Sequence, residues 1–196
     1  MFTGIVAHKG SVVAVEDGGG VRRLTLEAGA LADLEVGDSI AVNGVCLTAI
    51  AVQESRIAVE IVQETLSRSS LGAIQPGDAV NLERPMPAHG RFDGHIVQGH
   101  VDGVGTVSKV VAERDDRRLT IDVPPGLARF IVEKGSISVD GVSLTVAGVG
   151  SDRFDVALIP HTLEVTTLGL RDEGDQVNLE VDIIAKYVER LLGAGS

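Results

Sequence analysis

The residues best able to do chemistry in this sequence are small polar side chains on otherwise apolar stretches. They stand in two tripeptides, Cys46-Leu47-Thr48 and Ser143-Leu144-Thr145. Alternate residues of a β-strand share a face, so the polar pair of each tripeptide would point one way and the leucine the other. A thiol or hydroxyl placed this way could act as a nucleophile or polarise a bound molecule. Simple hydrogen bonding to a neighbouring strand is the alternative, and it stays open.

The two tripeptides belong to a repeat that covers most of the chain. Asn43-Gly44-Val45-Cys46-Leu47-Thr48 returns as Asp140-Gly141-Val142-Ser143-Leu144-Thr145, 97 positions later. Near the start the offset is 95, and Gly4-Ile5-Val6 corresponds to Gly99-His100-Val101. A period this long exceeds a solenoid unit, so it indicates two tandem domains of one fold, produced by duplication.

A few polar positions differ between the repeats. His100 stands where the first repeat has Ile5, and histidine is the side chain best suited to acid/base work near neutral pH. Lys134 stands where the first repeat has Gly37, although a solvated surface lysine explains it equally well. The other unequal pairs are Asn43 and Asp140, Cys46 and Ser143, and Glu64 and His161. Two similar pockets with unequal chemistry would suit two copies of one ligand in two roles.

The motifs of several other chemistries are missing from the sequence. There is no P-loop, no Gly-x-Gly-x-x-Gly and no Gly-x-Ser-x-Gly. The five histidines are scattered without the spacing of metal ligands, so we predict no metal site. The only cysteine, Cys46, excludes an internal disulfide framework.

Charge and hydropathy narrow the function classes further. The 196 residues carry 17 Lys and Arg against 28 Asp and Glu, a net charge of −11 without a basic run. This balance argues against nucleic acid or an anionic membrane surface as a partner. No apolar run is long enough to span a bilayer, and no basic leader is visible. We therefore expect a cytoplasmic protein.

The elements that must position these residues are short β-strands. Runs rich in Val, Ile and Thr are separated by Gly, Asp, Asn or Pro, and about six fall in each half. This pattern predicts an all-β chain of two small closed barrels, because closure removes the exposed sheet edges. The expected domains are residues 1–90, with a Pro-rich linker at the end, and residues 91–181. Gly18-Gly19-Gly20 predicts a hairpin.

Three further local structures are expected. Asn43-Gly44 and Asp140-Gly141 have the composition of tight turns, which is an alternative to a role in binding. Short helices are expected at residues 30–34 and 127–130. Residues 182–196 predict a terminal amphipathic helix that begins at Asp182. Its apolar stripe is formed by Ile184, Tyr187, Val188, Leu191 and Leu192.

These motifs together resemble the riboflavin synthase family of the α-chain type. The resemblance rests on Met1-Phe2-Thr3-Gly4-Ile5-Val6, on both six-residue repeats, on Glu64-Thr65-Leu66, on Gly99-His100-Val101 and on Leu158-Ile159-Pro160. It implies two six-stranded Greek-key barrels and a C-terminal helix that joins three subunits. It further implies that two molecules of 6,7-dimethyl-8-ribityllumazine become riboflavin and 5-amino-6-ribitylaminouracil by four-carbon transfer, without a metal or organic cofactor.

The resemblance also implies where the substrate binds. The site would lie between the first barrel of one subunit and the second barrel of its neighbour. The first barrel would contribute Gly4, Ile5, Val6, Ser39, Cys46, Leu47, Thr48, Glu60, Ile61, Val62, Gln63, Glu64 and Thr65. The second would contribute Gly99, His100, Val101, Lys134, Asp140, Ser143, Leu144, Thr145, Ala157, Leu158, Ile159, Pro160, His161 and Thr162.

Specific roles are expected for five of the residues. His100 would be the acid/base, and Cys46 or Ser143 the nucleophile or polarising contact. Phe2 and Asp140 would position the ring or its partners. One departure is His161, which stands where the family commonly has Glu.

Two alternatives from other classes remain at this point. One is a lumazine- or flavin-binding protein of the same fold without catalysis, and the other is a purely structural barrel protein. Because both repeats keep Gly-Val-x-Leu-Thr, and the second keeps His100, the enzyme is favoured. Association with lumazine synthase is a further expectation.

Overall fold

The first half of the chain closes into a six-stranded antiparallel barrel. A computed structural model describes residues 1–6, 8–29, 31, 34–113 and 115–193. The strands are β1 (His8–Gly18), β2 (Val21–Glu27), β3 (Ser39–Val42), β4 (Val45–Gln53), β5 (Arg56–Val62) and β6 (Ala79–Glu83). They close in the order β1-β2-β5-β4-β3-β6.

The second half repeats this topology. Its strands are β7 (Gly103–Glu113), β8 (Asp116–Asp122), β9 (Ser136–Val139), β10 (Val142–Val149), β11 (Arg153–Leu158) and β12 (Gln176–Val181). The order around the barrel is β10-β11-β8-β7-β12-β9, which is the order of the first barrel with each strand replaced by its equivalent. The predicted all-β fold of two tandem six-stranded Greek-key barrels is confirmed.

Each barrel is filled by the inward-facing residues of its strands. The first core includes Leu24, Leu26, Ile40, Ile57, Val59, Ile61 and Leu82. The second includes Leu119, Ile121, Ile137, Phe154, Val156, Leu158 and Leu179. Bulges interrupt β1 and β4 and recur at the equivalent places in β7 and β10. They bend the strands so that the short sheets can close.

Short helices follow the strands at matching places. They are α1 (Gln63–Arg68) after β5, α2 (Pro160–Val165) after β11 and the terminal α3 (Ile183–Gly193). The predicted terminal helix is confirmed, and it starts one residue after Asp182. The helix expected at 127–130 is a 3-10 turn, Ala128–Phe130. That expected at 30–34 falls partly outside the described residues. In the part of the chain described here, no helix has the length and apolar character needed to cross a membrane.

The predicted turns are present. The hairpin joining β1 to β2 turns at Gly19 and Gly20, with φ of 63° and 82°. Asn43 and Asp140 have φ of 44° and 46°, and each is followed by a glycine with positive φ. Two consecutive positive φ values define the tight turn that joins twisted antiparallel strands.

The two barrels meet at these turns through a symmetric hydrogen-bond network. The Asn81 side-chain amide donates to the Asp140 carbonyl, and the Asn178 amide donates to the Asn43 carbonyl, each at 2.8 Å. In return the Thr167 amide donates to Asn81 Oδ1 and the Ser70 amide to Asn178 Oδ1, each at 2.7 Å. Asn81 and Asn178 are 1% exposed. The duplication has therefore produced a local two-fold axis, and these two asparagines fix one barrel against the other.

Candidate active site

Two short segments cross from one barrel to the other. The Gly4 carbonyl accepts a hydrogen bond from the Ser143 amide at 2.8 Å, and the Gly99 carbonyl accepts one from the Cys46 amide at 2.9 Å. Both glycines have positive φ, +76° and +80°. A Cβ at Gly99 would lie 2.5 Å from that of Cys46, and a Cβ at Gly4 would lie 2.6 Å from that of Ser143. Only glycine allows these approaches.

The grouping of pocket residues expected from the sequence is wrong in this respect. It placed Gly4-Ile5-Val6 with the first tripeptide and Gly99-His100-Val101 with the second, but the structure exchanges them. The reason is that Phe2 and Val97 pair as antiparallel neighbours between the barrels, with N–H···O distances of 2.7 and 3.2 Å. Each segment leaves this pairing on the far side of the axis before it enters its own barrel.

Two buried glutamates hold the crossing segments. Glu83 accepts hydrogen bonds from the amides of Thr3 and Gly4 at 2.7 and 3.1 Å. Glu180 accepts them from the amides of residues 98, 99 and 100 at 2.7, 2.9 and 3.0 Å. Burial raises the pKa of both carboxyls, and the backbone N–H groups oppose that rise. Glu83 and Glu180 are equivalent residues at the end of the two repeats, so each crossing segment is held by its own glutamate.

The first pocket is a cavity of about 160 Å³ against the outer face of β4. The residues that line it include Cys46, Glu64, Thr65, Arg68, His100 and Val101. Glu64 forms an ion pair with Arg68 at 2.5 Å across one turn of α1. His100 is exposed, and its backbone amide is fixed by Glu180. A thiol, a carboxylate and an imidazole are thus brought together at an open mouth.

The equivalent surface in the second barrel, called the second pocket below, lies on β10 and is described by its residues. Ser143 and Thr145 are accessible on the outer face of that strand. Ile5 of the crossing segment is 48% exposed, and Ile159, just before α2, is 58% exposed. His161 is an exposed residue of α2 at the position of Glu64 in α1. The rim of this pocket is therefore apolar with an imidazole where the first pocket has a carboxylate.

His95 is a site residue that sequence reasoning missed. Its Nδ1 lies 2.7 Å from Ser143 Oγ, and burial lowers its pKa while Asp182 opposes the fall. His95 precedes the matched segments, so no residue of the first repeat corresponds to it. The sequence offers His95 only the spacing test for a metal ligand, and no spacing rule links residues 95 and 143. Among the described residues, no group of three or more His, Cys, Asp or Glu could hold a metal ion.

Predicted residues on the strands fall on two faces. Thr48 and Thr145 are exposed, whereas Leu47 packs in the first core and Leu144 against the second. The predicted alternation is confirmed. Ser39 is half-buried and pairs with Thr48 in the ladder between β3 and β4.

The segments leading into α1 and α2 have the same pattern in both barrels. In the first, Glu60, Val62 and Gln63 are exposed and Ile61 is buried. In the second, Ala157, Ile159 and Pro160 are exposed, Leu158 is buried and Thr162 is half-buried. Val6 is buried in the second barrel's core, and Lys134 is exposed. Lys134 has a φ of +66°, as its counterpart Gly37 has one of +100°.

Phe2 and Asp140 lie beneath the site and do not reach the first cavity. Phe2 is fully buried with Ala41, Val97 and Cys46. Asp140 is fully buried and accepts hydrogen bonds from Arg171 at 2.8 and 3.2 Å and from the amide of Asn178 at 2.8 Å. Burial raises the pKa of Asp140, and the Arg171 guanidinium opposes it. Their role of positioning the ring or its partners stays a prediction.

Comparison with known proteins shows which families and structures this chain is similar to. The chain matches the lumazine binding domain family twice, at residues 3–85 and 98–182. It is 49% identical to the riboflavin synthase of Mycobacterium tuberculosis over 98% of both chains. It is 40% identical to that of Bacillus subtilis over 98% of this chain and 90% of the relative. A crystal structure of LumP complexed with riboflavin superimposes with a TM-score of 0.86 at 26% identity, covering 92% of this chain and 99% of LumP.

Proposed function

We propose a function from the premise that this chain belongs to the riboflavin synthase family and carries two lumazine-binding domains. Its function is the dismutation of two molecules of 6,7-dimethyl-8-ribityllumazine to riboflavin and 5-amino-6-ribitylaminouracil. A four-carbon unit passes from one lumazine to the other, so the enzyme is a transferase. The observation that carries the proposal is a cavity on β4 and an equivalent surface on β10, which carry unequal functional groups.

The duplication suits a reaction between two identical molecules. Holding both lumazines in register removes much of the entropic barrier to their encounter, which is worth several kcal/mol. The pockets then need different groups, because one lumazine gives up the four-carbon unit and the other receives it. Between the repeats, Cys46 corresponds to Ser143, Glu64 to His161 and Ile5 to His100. The functional groups differ while the supporting glutamates, asparagines and glycines remain the same.

His100 is the proposed acid/base of the first pocket. The methyl group at C7 of the lumazine is acidified by its electron-poor ring, so a modest base removes its proton. Glu64 is engaged by Arg68, whereas the imidazole of His100 lies free at the mouth of the cavity among the described residues. His100→Ala is expected to lower kcat strongly without unfolding the protein. Unchanged turnover in a folded variant would refute the role.

We further propose a homotrimer in the cytoplasm. The apolar stripe of α3 has no cover in the described part of the chain, and Ile184, Tyr187, Val188, Leu191 and Leu192 are 50 to 75% exposed. A three-turn amphipathic helix is marginal alone and needs such cover. The open mouth of the first pocket and the exposed apolar side chains of Ile5 and Ile159 beside the second favour a site shared between neighbouring subunits. Docking with lumazine synthase is part of the same proposal.

Mixing two inactive variants tests the shared site. His100→Ala damages the first pocket and Ser143→Ala the second, so each variant retains one intact pocket. Co-refolded hybrid trimers should regain about a quarter of wild-type activity, because a cyclic interface joins unlike patches of neighbouring subunits. The control is a mixture of the two variant trimers that has not been unfolded and refolded together. No recovery in verified hybrids would place both pockets of one site in the same subunit.

A binding protein without catalysis is the alternative that the fold allows. The superposition on LumP supports it, but identity to LumP is 26% against 40 to 49% for the riboflavin synthases. A pure binding protein also needs only one intact pocket, and here both crossing segments and both supporting glutamates are retained. Lumazine bound tightly with no riboflavin formed would favour this alternative.

A further inference from the structure

The hydrogen bond between His95 and Ser143 distinguishes the two pockets more sharply than the residue types alone. Ser143 Oγ lies 2.7 Å from His95 Nδ1, and no other partner of this hydroxyl is found among the described residues. At the equivalent place in the first barrel, no imidazole nitrogen of a described residue is hydrogen-bonded to Cys46. One pocket therefore has a hydroxyl hydrogen-bonded to an imidazole, and among the described residues the thiol of the other has no such partner.

The backbone around His95 is fixed, so the contact is built into the fold. The His95 amide donates to the Thr3 carbonyl at 3.1 Å, two residues from the pairing of Phe2 with Val97. A Cβ at Gly94 would press on the Thr3 carbonyl and lie 3.1 Å from Ser143 Cβ. Glycine at position 94 allows the segment to come close enough for the imidazole to reach Ser143.

Whether His95 or Ser143 donates the hydrogen bond between them depends on the other ring nitrogen of His95, Nε2. His95 Nε2 is buried and has no hydrogen-bond partner in the described part of the chain. An N–H buried without an acceptor is rarer and costlier than an acceptor without a donor. The neutral tautomer with its proton on Nδ1 is therefore favoured, since it leaves only a lone pair unsatisfied. Burial lowers the pKa of His95 and so favours the neutral ring, although the nearby Asp182 carboxylate opposes this shift.

We propose that His95 is a positioning residue that donates from Nδ1 to Ser143 Oγ and thereby makes the Ser143 hydroxyl a directed donor. Its own proton then points to a carbonyl oxygen or ring nitrogen of the lumazine in the second pocket. Ser143 is consequently a polarising contact and not a nucleophile, because a nucleophilic hydroxyl would have to give its proton to an imidazole nitrogen that already carries one. The ligand named here rests on the proposed function, whereas the direction of the hydrogen bond does not.

The tautomer is measured directly on the wild-type protein without ligand. In protein labelled with ¹⁵N-histidine, long-range ¹H–¹⁵N correlations show which ring nitrogen carries the proton, and His95→Gln identifies the signals of His95. The proposal predicts a neutral ring protonated at Nδ1. A proton on Nε2, or on both nitrogens near neutral pH, would overturn it. This outcome is independent of riboflavin formation, so the proposed function can fail without affecting it.

Two amide substitutions separate positioning from a structural role. Asn places its amide near the former Nδ1 and can still donate to Ser143, whereas Gln places its amide near Nε2. Ser143→Ala should lower kcat by about 100-fold, since it removes one donor to the reacting ligand. His95→Gln should lower kcat by about tenfold with little change in KM, and His95→Asn should restore most of it. If His95→Gln lowers kcat further in the Ser143→Ala background, His95 does not act through Ser143.

Discussion

Replacing Gly99 with Ala should damage the first pocket while leaving the barrel folded. Gly99 has a φ of +80°, and its carbonyl accepts the hydrogen bond from the Cys46 amide. The new Cβ would stand 2.5 Å from Cys46 Cβ and 2.8 Å from the Cys46 nitrogen. The contact is with backbone as well as side chain, so the crossing segment must move away from β4.

The size of the effect follows from what the segment carries. The left-handed backbone costs an alanine about 1–2 kcal/mol wherever it occurs. The displacement additionally weakens the bond from Cys46 and the bonds from residues 99 and 100 to Glu180, at about 1 kcal/mol for each one lost. A shift of about 1 Å in a reacting group costs roughly 100-fold in rate. We therefore expect kcat/KM to fall by about 100-fold.

Gly126→Ala is the matched control. Gly126 has a φ of +84°, and no atom of the described residues lies within 4 Å of the position that its Cβ would occupy. Steady-state riboflavin formation and urea unfolding should be measured for both variants. Gly126→Ala should lose only the backbone cost in stability and retain full turnover. Equal turnover in the two variants would refute the idea that close approach of the segment to Cys46 shapes the pocket.

Three other perturbations address the support of the pockets and the assembly. Because burial raises the pKa of Glu180, the folded protein holds this proton to higher pH than the unfolded chain does. The free energy of unfolding therefore falls as pH rises from the pKa of Glu180 in the unfolded chain to its pKa in the folded protein. Glu180→Gln should flatten that slope in urea unfolding at a series of pH values, and an unchanged slope would contradict the assignment. Asp140→Asn should destabilise the protein by about 2 kcal/mol in urea unfolding, since it leaves the Arg171 guanidinium without its anion. Adding Arg171→Ile, which places the residue of the first repeat at this position, should recover most of the lost stability. Leu191→Glu should convert the trimer to monomer in sedimentation equilibrium, and a persistent trimer would show that α3 does not hold it.

The fold could be predicted from the sequence because each barrel is specified locally. Alternation of residues such as Cys46, Leu47 and Thr48 sets strand faces, and Asn-Gly or Asp-Gly sets the turns. The repeat then doubles every such signal. Periodicity assigns inward and outward faces from adjacent positions, and it needs no knowledge of distant contacts.

The pairing of pocket residues could not be predicted in the same way. Gly4 lies in the same repeat as Cys46 but contacts Ser143, and Gly99 does the reverse. A duplicated sequence is compatible with either arrangement, because both give identical local patterns. The exchange is decided by the pairing of Phe2 with Val97 across the axis, which is a long-range contact between segments without any alternation of their own.

Buried polar residues were harder still to interpret from type alone. Asp140 differs from Asn43, and the difference suggested a ligand contact. In the structure Asp140 accompanies Arg171, which replaces the Ile74 of the first repeat, so the two changes compensate each other inside the interface. Only the three-dimensional contact between Arg171 and Asp140 shows that these substitutions are neighbours.

The claim tested most directly by experiment is that this chain brings two lumazines together and converts them into two different products. The most direct measurement is anaerobic incubation of the pure protein with 6,7-dimethyl-8-ribityllumazine, with chromatographic quantification of substrate and both products. One riboflavin and one 5-amino-6-ribitylaminouracil for every two lumazines consumed is the predicted result. Lumazine that stays bound and unconverted, or riboflavin formed without an equal amount of the pyrimidine, would contradict the claim.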